Sequence, residues 1–321
     1  MSDQIVISGA AGFIGKQTVA YGRLSGLKIR ALVRKKFQAP TIWQSDPKIE
    51  IFARDLTENE DLMSVFAGAS AVIHTAASMS GNHDQDTVLA SKNITDSIVR
   101  SGVQHVVLVS SISVYDVAAL KDHDTLAEDC AVCEHGRDAY SSAKLQQEFM
   151  FKEASKQHGF TLTIIRPGAV FGPKRAFNSH IGAAIGPLIA MIDSGGRVPI
   201  CHVNLLAQCL MHAAQSPNGV EKINVVDDAL PNRDEFMAAF RDTGWPKLAL
   251  RLPLGFARFL AQITPDLTTL PSLFNRSVLE ARHKPLQYSN ALMHNRLGPV
   301  TMMPFEAAMR QAIEIEQGLI K

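Results

Sequence analysis

The chain has 321 residues, and its 32 lysines and arginines against 31 aspartates and glutamates leave a net charge of +1. That excludes the basic surplus that nucleic acid or an anionic membrane surface requires. The length is enough to bury a sizeable core without staples, and four scattered cysteines, Cys130, Cys133, Cys201 and Cys209, make no disulfide framework, which fits a cytoplasmic protein with a small-molecule partner.

Gln4-Ile5-Val6-Ile7 already reads as a first strand, with no charged and apolar leader before it, so no signal peptide is expected. Directly after it, SGAAGFIG places glycines at 9, 12 and 15 at the opening of a helix predicted over 15–25. Gly9 permits a tight strand-to-helix turn, Gly12 lets backbone approach a pyrophosphate, and Gly15 lets helix and strand pack closely. Phe13 and Ile14 share that dinucleotide-binding surface, and the helix N-terminus faces the anion. The second run, KIRALV from Lys28, ends in Arg34-Lys35-Lys36, where an acid would bind the ribose hydroxyls of NAD. No acid occurs between Asp3 and Asp46. Arg34 and Lys35 suit the 2′-phosphate of NADP instead, so NADP(H) is the expected cofactor and NAD(H) the alternative.

Nearly continuous apolar runs follow at Ile49 (IEIFA), Ala71 (AVIHTA), His105 (HVVLVSS) and Thr161 (TLTIIRP), with helices predicted over 61–66, 86–101 and 139–158. This is the rhythm of a doubly wound parallel sheet covered by helices on both faces. It breaks beyond Pro173, where prolines become frequent and only KINVVDD from Lys222 reads as another strand, at a sheet edge. The expected architecture is α/β: a Rossmann-type domain of residues 1–172 plus about 200–228, and a smaller C-terminal substrate-covering region of 173–199 plus 229–321. Ile181 to Ile192 is apolar, but glycine and proline interrupt it and it is too short to span a bilayer.

Tyr140 and Lys144 stand four apart in YSSAK, so they project from one face of the helix predicted over 139–158. A free tyrosine titrates at about 10. A neighbouring ammonium favours the phenolate and lowers that value, letting Tyr140 exchange a proton with a carbinol oxygen while a nicotinamide moves the hydride. Ser110-Ser111 closes the fifth strand, and ligands of doubly wound sheets sit at strand carboxyl ends, where a serine hydroxyl orients a substrate oxygen. Cys130 and Cys133 form a CxxC with no second pair, and the eleven histidines show no ligand spacing, so no metal site is expected.

With these motifs the chain resembles the extended short-chain dehydrogenase/reductases, also called the NAD-dependent epimerase/dehydratase family, over nearly its whole length. The resemblance covers the glycine turn at 9–15, Asp55-Leu56, IHTAA at 73–77, SSISVY at 110–115, YSSAK at 140–144, RPGAVFGP at 166–173 and LGPVTMMPFEAAMRQAIE from Leu297. It implies that Asp55, with Leu56 beside it, contacts the adenine amine, that Ala76 and Ala77 lie along the cofactor, and that Pro167 to Val170, Ala169 included, flank the nicotinamide. It further implies Ser111 as catalytic serine, Tyr140 as general acid/base, and Lys144 as the residue that binds the nicotinamide ribose and tunes Tyr140. There are two departures. Thr87 stands where the family often has an asparagine in a proton relay, and Leu205 in HVNLLA replaces a frequent aspartate, a change of packing. Ala139, Ala143, Phe149 and Met150 lie on the helix that often forms a dimer interface in the family, so a homodimer is expected.

The implied reaction is reversible hydride transfer between NADP(H) and a secondary alcohol or ketone. One reading of the substrate is a nucleotide sugar, reduced at a 4-keto group or epimerised, with Arg175 or Arg197 anchoring the diphosphate. The other is an apolar alcohol, similar to the 3β-hydroxysteroid and flavanonol reductase branch, towards which ALVR at 31–34 and the apolar stretches at 181–192 and 252–263 lean. A nonenzymatic NADP-binding regulator on the same fold is the alternative of another class, and the presence of Ser111, Tyr140 and Lys144 together argues against it.

Overall fold

A computed structural model of the chain describes residues 4–58, 62–76, 83–135, 137–263 and 275–319, with the side chains of Asp84 and Gln85 left outside that description. In chain order the first half runs β1 (Gln4–Ser8), α1 (Phe13–Leu24), β2 (Lys28–Val33), β3 (Ile49–Ala53), α2 (Met63–Phe66), β4 (Ala71–His74), α3 (Ala90–Ser101), β5 (His105–Val109), a two-residue β6 (Thr125–Leu126), α4 (Ala139–His158) and β7 (Thr161–Pro167). The remainder runs β8 (Ala169–Phe171), β9 (Gly182–Ile185), β10 (Leu188–Asp193), β11 (Ile200–His202), α5 (Val203–Gln215), β12 (Val220–Val225), α6 (Arg233–Ala238), β13 (Leu248–Pro253), α7 (Leu254–Ile263), α8 (Arg276–His283), β14 (Gln287–Tyr288), α9 (Ala291–Leu297) and α10 (Phe305–Glu316).

Seven strands form one parallel sheet in the order β12-β7-β5-β4-β1-β2-β3. All seven strand runs read from the sequence are in it, with the Lys222 run at the edge. Alternate residues of each strand supply two separate cores. Ile5, Ile7, Ile29, Ile73 and Val107 meet Val19 of α1 and Leu206 and Leu210 of α5 on one face. Val6, Leu32, Val72, Val106 and Leu108 meet Phe66, Ile94 of α3 and Phe151 of α4 on the other. Each fully buried side chain of this kind contributes about 1.5–3 kcal/mol relative to exposure, and burial on both faces is why these runs do not alternate with polar residues. The strand order reverses at β1, so a crevice opens at the carboxyl ends of β1 and β4, where ligands of such sheets bind.

The helices hold with shifted ends. α1 starts at Phe13, two residues early. The stretch predicted over 86–101 begins as a π-helical turn, Asp84–Leu89, before α3. α4 matches its predicted span. Asp138 caps it, its carboxylate accepting from Ser141 N (2.7 Å), and Gly159 ends it at φ 77.

Beyond Pro173 the structure holds more order than the prolines announce. Ile181 to Ile192 is a β9–β10 hairpin turned at Gly186-Pro187, and β13 pairs parallel to β10. The dipeptide that looked like an interruption is the turn itself. Ile189 and Met191 pack into a further core with Phe171, Phe236, Phe305 and Met309. Among the described residues no helix is long and apolar enough to cross a membrane.

Candidate active site

The glycine turn is built as its spacing requires. Gly9 has φ +68, and a Cβ there would stand 2.8 Å from Ala76 N; one on Gly15 would stand 2.2 Å from Gly9 O. Gly12 is the N-cap of α1 and brings no side-chain cap, so backbone N–H groups of the first turn face outward. Beneath the turn, Ser8 Oγ and His74 Nδ1 stand 2.6 Å apart and tie β1 to β4. At the ends of β2 and β3, the half-exposed Arg34 reaches Asp86 (3.0 Å) and Asp55 (3.7 Å). Burial raises the Asp55 carboxyl, but hydrogen bonds from Thr57 and the charges of Arg34 and Lys35 more than offset this and hold it below the usual range. Lys35 is exposed, and Leu56 is buried with its carbonyl accepting from Asn93 Nδ2 (2.8 Å).

A cavity of about 900 Å³ opens at the carboxyl ends of the central strands. It brings together Gly9, Gly12, Phe13, Ile14, Gly15, Ser111, Tyr140, Lys144, Pro167, Ala169 and Val170, and the C-terminal region closes over it with Phe177, His180, Val278, Arg282 and Tyr288. Arg34, Lys35, Asp55 and Leu56 lie outside its lining, beyond the glycine turn, and Ala76 packs against Gly9. Ala77 lies outside the described residues.

Tyr140 sits in the first turn of α4. Burial raises its phenol above the ordinary value, and a hydrogen bond with the Ser111 side chain opposes the rise. The expected lowering by Lys144 is not what the structure gives, because burial dominates and the Lys144 ammonium is turned elsewhere: Nζ donates to Val109 O (2.7 Å) and Gln147 Oε1 (2.9 Å). Burial pushes Lys144 itself down to about 7, against the opposing charge of Glu148. Gln147 in turn donates to Ser91 Oγ on α3 (2.7 Å). The sequence signal for this chain is that Gln147 stands three residues after Lys144 and so shares its helical face. Thr87 is buried in the π-helical turn.

A buried ion pair supports the floor. Arg166 Nε and Nη2 donate to the two carboxylate oxygens of Glu148 (2.8 and 2.7 Å), Ser110 Oγ donates to Oε1 (2.7 Å), and Lys152 Nζ to Oε2 (2.9 Å). Burial raises Glu148, but these partners outweigh it and leave the carboxyl at about 2. Arg166 also lies 4.7 Å over the Tyr115 ring, and Tyr115 donates to Asn224 Oδ1 (2.8 Å). Ser110, and with it Ser111, is thereby fixed to α4.

Among the described residues, three buried polar atoms on the cavity wall have no hydrogen-bond partner: His83 Nδ1, Ser113 Oγ and Arg137 Nε. The His83 ring stands edge-on to Tyr140 with centroids 6.0 Å apart. No sequence signal marked these residues. Of the two arginines considered as diphosphate anchors, Arg175 lines the cavity, 5.0 Å over the Phe13 ring. Arg197 does not; it donates to Leu230 O and Glu235 at the surface. Nor do residues 181–192 or 252–263 line the cavity, because their apolar side chains pack in cores of their own or face outward, which removes that support for an apolar substrate. On α4, Ala143 faces the interior and is not available to a partner, whereas Phe149 is 66% exposed. Leu205 is buried among core residues.

The model of the NAD dependent epimerase/dehydratase family matches residues 5–225. The bovine sterol-4-alpha-carboxylate 3-dehydrogenase (decarboxylating) is 27% identical over 176 residues, 52% of this chain and 47% of that protein. A Streptomyces dTDP-4-dehydro-6-deoxy-D-allose reductase is 26% identical over 232 residues, 65% of this chain and 69% of that one. The chain thus spans about half the length of the sterol relative. Among solved structures, MoeE5 in complex with UDP-glucuronic acid and NAD superposes with a TM-score of 0.74 at 18% identity, covering 99% of this chain and 100% of that one. The UDP-glucose 4-epimerase of Thermotoga maritima gives 0.73 at 15%, with coverage of 99% and 100%. At these identities the likeness is one of fold.

Proposed function

The chain belongs to the NAD dependent epimerase/dehydratase family, and from that premise we propose that it is an NADP(H)-dependent oxidoreductase that moves a hydride between the cofactor and a secondary alcohol or ketone. The observation that carries this reading is the single cavity that joins the glycine turn at one end to Ser111, Tyr140 and Lys144 at the other. The residues fit a dinucleotide: the turn closes so tightly that Cβ atoms at Gly9 and Gly15 would collide with Ala76 and with its own backbone, and the N-terminus of α1 brings no side chain to compete with a pyrophosphate. Gly9, Gly12, Phe13, Ile14 and Gly15 would hold the pyrophosphate end. Arg34 and Lys35 would hold the 2′-phosphate, Asp55 and Leu56 the adenine, Ala76 and Ala77 the middle, and Pro167, Ala169 and Val170 the nicotinamide. Arg34 gives up little in turning to a phosphate, since an exposed ion pair is worth under about 1 kcal/mol.

When bound, the cofactor supplies or accepts the hydride. The chain's own residues do the rest. Ser111 holds the substrate oxygen. Tyr140, kept as a neutral phenol by burial, gives its proton to that oxygen in the direction of reduction and takes it back in oxidation. Lys144 holds the ribose and fixes the end of α4 against β5. We assign the cofactor to residues 1–172 plus about 200–228 and the substrate to 173–199 plus 229–321. The protein acts in the cytoplasm as a homodimer through the exposed side of α4. The substrate reading we favour is a nucleotide sugar, because Arg175 stands in the cavity where a diphosphate would reach it.

The test is stopped-flow reduction of a panel of nucleotide 4-keto sugars and simple ketones with NADPH and NADH, beside Arg34→Ala. NADPH is expected to be used at least tenfold better, and Arg34→Ala to erase the difference. Equal or better use of NADH overturns the cofactor assignment. Thermal stabilisation by UDP or dTDP is expected of a diphosphate site, and its absence returns the substrate to the apolar alcohols.

A further inference from the structure

The reactive end of the cavity carries more positive charge and more unmet hydrogen-bonding capacity than a neutral alcohol would use. Arg137, Lys144, Lys174, Arg175 and Arg282 line the cavity against two carboxylates, Asp138 and Glu316. Glu316 accepts from Ala176 N, and Asp138 accepts from Ser141 N through Oδ1 at the cap of α4 while its Oδ2 offsets part of the Arg137 charge. Arg175 stands over Phe13, at the glycine-turn end. Arg137, in contrast, stands three residues before Tyr140, and its Nη1 donates to Ser113 O (2.5 Å), which fixes the guanidinium beside the turn after β5 that Ser111 opens. Among the described residues its Nε is buried without a hydrogen-bond partner, with an ion pair to Asp138 Oδ2 at 3.6 Å, and Ser113 Oγ, on the residue whose carbonyl Nη1 reaches, is likewise buried without one. Leaving such groups unmet in a low-dielectric wall is costly, most of all for a charged one. Arg282 lies on the same wall, near enough to Arg137 that, after burial, its titration feels both that guanidinium and Asp138.

We propose, resting on the oxidoreductase reading above, that the substrate carries a carboxylate on the carbon next to its reacting carbon and that Arg137, with Ser113, binds it. The planar guanidinium suits a carboxylate, and Ser113 Oγ adds a donor. Arg137 is then a specificity-determining residue: it selects acids over neutral compounds of the same shape at the reacting end, apart from any diphosphate anchor at the far end.

The experiment compares matched pairs on the full-length protein with NADP+ present: UDP-glucuronic acid against UDP-glucose, and 3-hydroxydecanoate against 3-hydroxydecanamide. Binding is measured by calorimetry and hydride transfer by absorbance, for the wild type, Arg137→Gln and Arg137→Lys. The acid of at least one pair is expected to bind ten- to a hundredfold more tightly than its neutral partner, the effect of one charge-assisted hydrogen bond to a desolvated group. Arg137→Gln should bring the pair to within about twofold by weakening the acid alone, and Arg137→Lys should retain part of the preference, which a merely structural role would not do. Absence of acid preference in both pairs, or its survival in Arg137→Gln, overturns the inference. The two readings fail separately. Tyr140-dependent turnover of acid and neutral members with equal efficiency removes this inference and leaves the oxidoreductase standing, whereas an Arg137-dependent acid preference in binding without cofactor turnover does the reverse.

Discussion

Arg166→Met tests the support beneath the active site. The Glu148 and Arg166 side chains are 2% and 0% exposed and share two hydrogen bonds of 2.8 and 2.7 Å. Removing the guanidinium leaves a buried carboxylate with only Ser110 and Lys152, and breaking a buried pair from one side costs about 3–5 kcal/mol. The same substitution at Arg251, whose pair with Asp234 is more than half exposed on both sides, should cost less than about 1 kcal/mol. Arg166→Met combined with Glu148→Gln should recover a large part of the loss, since the stranded charge is then gone. Urea unfolding at pH 7, followed by circular dichroism, measures the wild type, the single variants Arg166→Met, Glu148→Gln and Arg251→Met, and the double variant. If Arg166→Met is no more costly than Arg251→Met, or if the double variant is additive, the pair does not act as a buried charge unit and its role in fixing Ser110 falls with it.

Acid should destabilise the protein between pH 6.5 and 4. Burial holds His74 and His180 at about 3, His202 at about 4 and His283 at about 2. The unfolded chain therefore takes up protons near 6.5 that the folded chain refuses, so this stability is fully present above 6.5 and lost as pH falls, on the order of 1 kcal/mol per histidine per pH unit. Asp227, which burial raises to about 7, works in the opposite sense and offsets one of the four. Urea midpoints at pH 7, 6 and 5 check this, and a flat profile contradicts it. Gly15→Ala drives a Cβ to 2.2 Å from backbone that has nowhere to move; it should destabilise by about 1–3 kcal/mol and weaken NADPH binding, read by calorimetry. Gln147→Leu removes one of the two acceptors of Lys144, a loss of about 1.5–3 kcal/mol. It should lower kcat more than it raises KM, and unchanged kcat would make the contact purely structural.

The central sheet was legible because parallel strands buried on both faces must be written as apolar runs, and the turn because only glycine meets the demands at 9 and 15. Tyr140 and Lys144 were legible from helical spacing. What spacing could not show was how burial would act on them: that Lys144 points to Val109 and Gln147, and that the phenol rises instead of falling. Glu148 and Arg166 lie eighteen residues apart on different elements, so their pairing is a fact of packing with no local signal. The same holds for Arg137, His83 and Ser113, which converge on the cavity from three separate segments. Ile181 to Ile192 was misjudged for another reason. Its Gly186-Pro187 pair forms the hairpin turn, and its apolar residues serve a separate core.

The most direct test of the account is Tyr140→Phe, with NADPH affinity and carbonyl-dependent NADPH oxidation measured on the same preparation. Loss of the hydroxyl removes the proton donor and leaves the ring in place. The account predicts affinity within about threefold of the wild type and turnover reduced by at least the hundredfold that a positioned general acid contributes. Turnover within a few fold of the wild type would contradict it and would move the proton transfer to another group on the cavity wall.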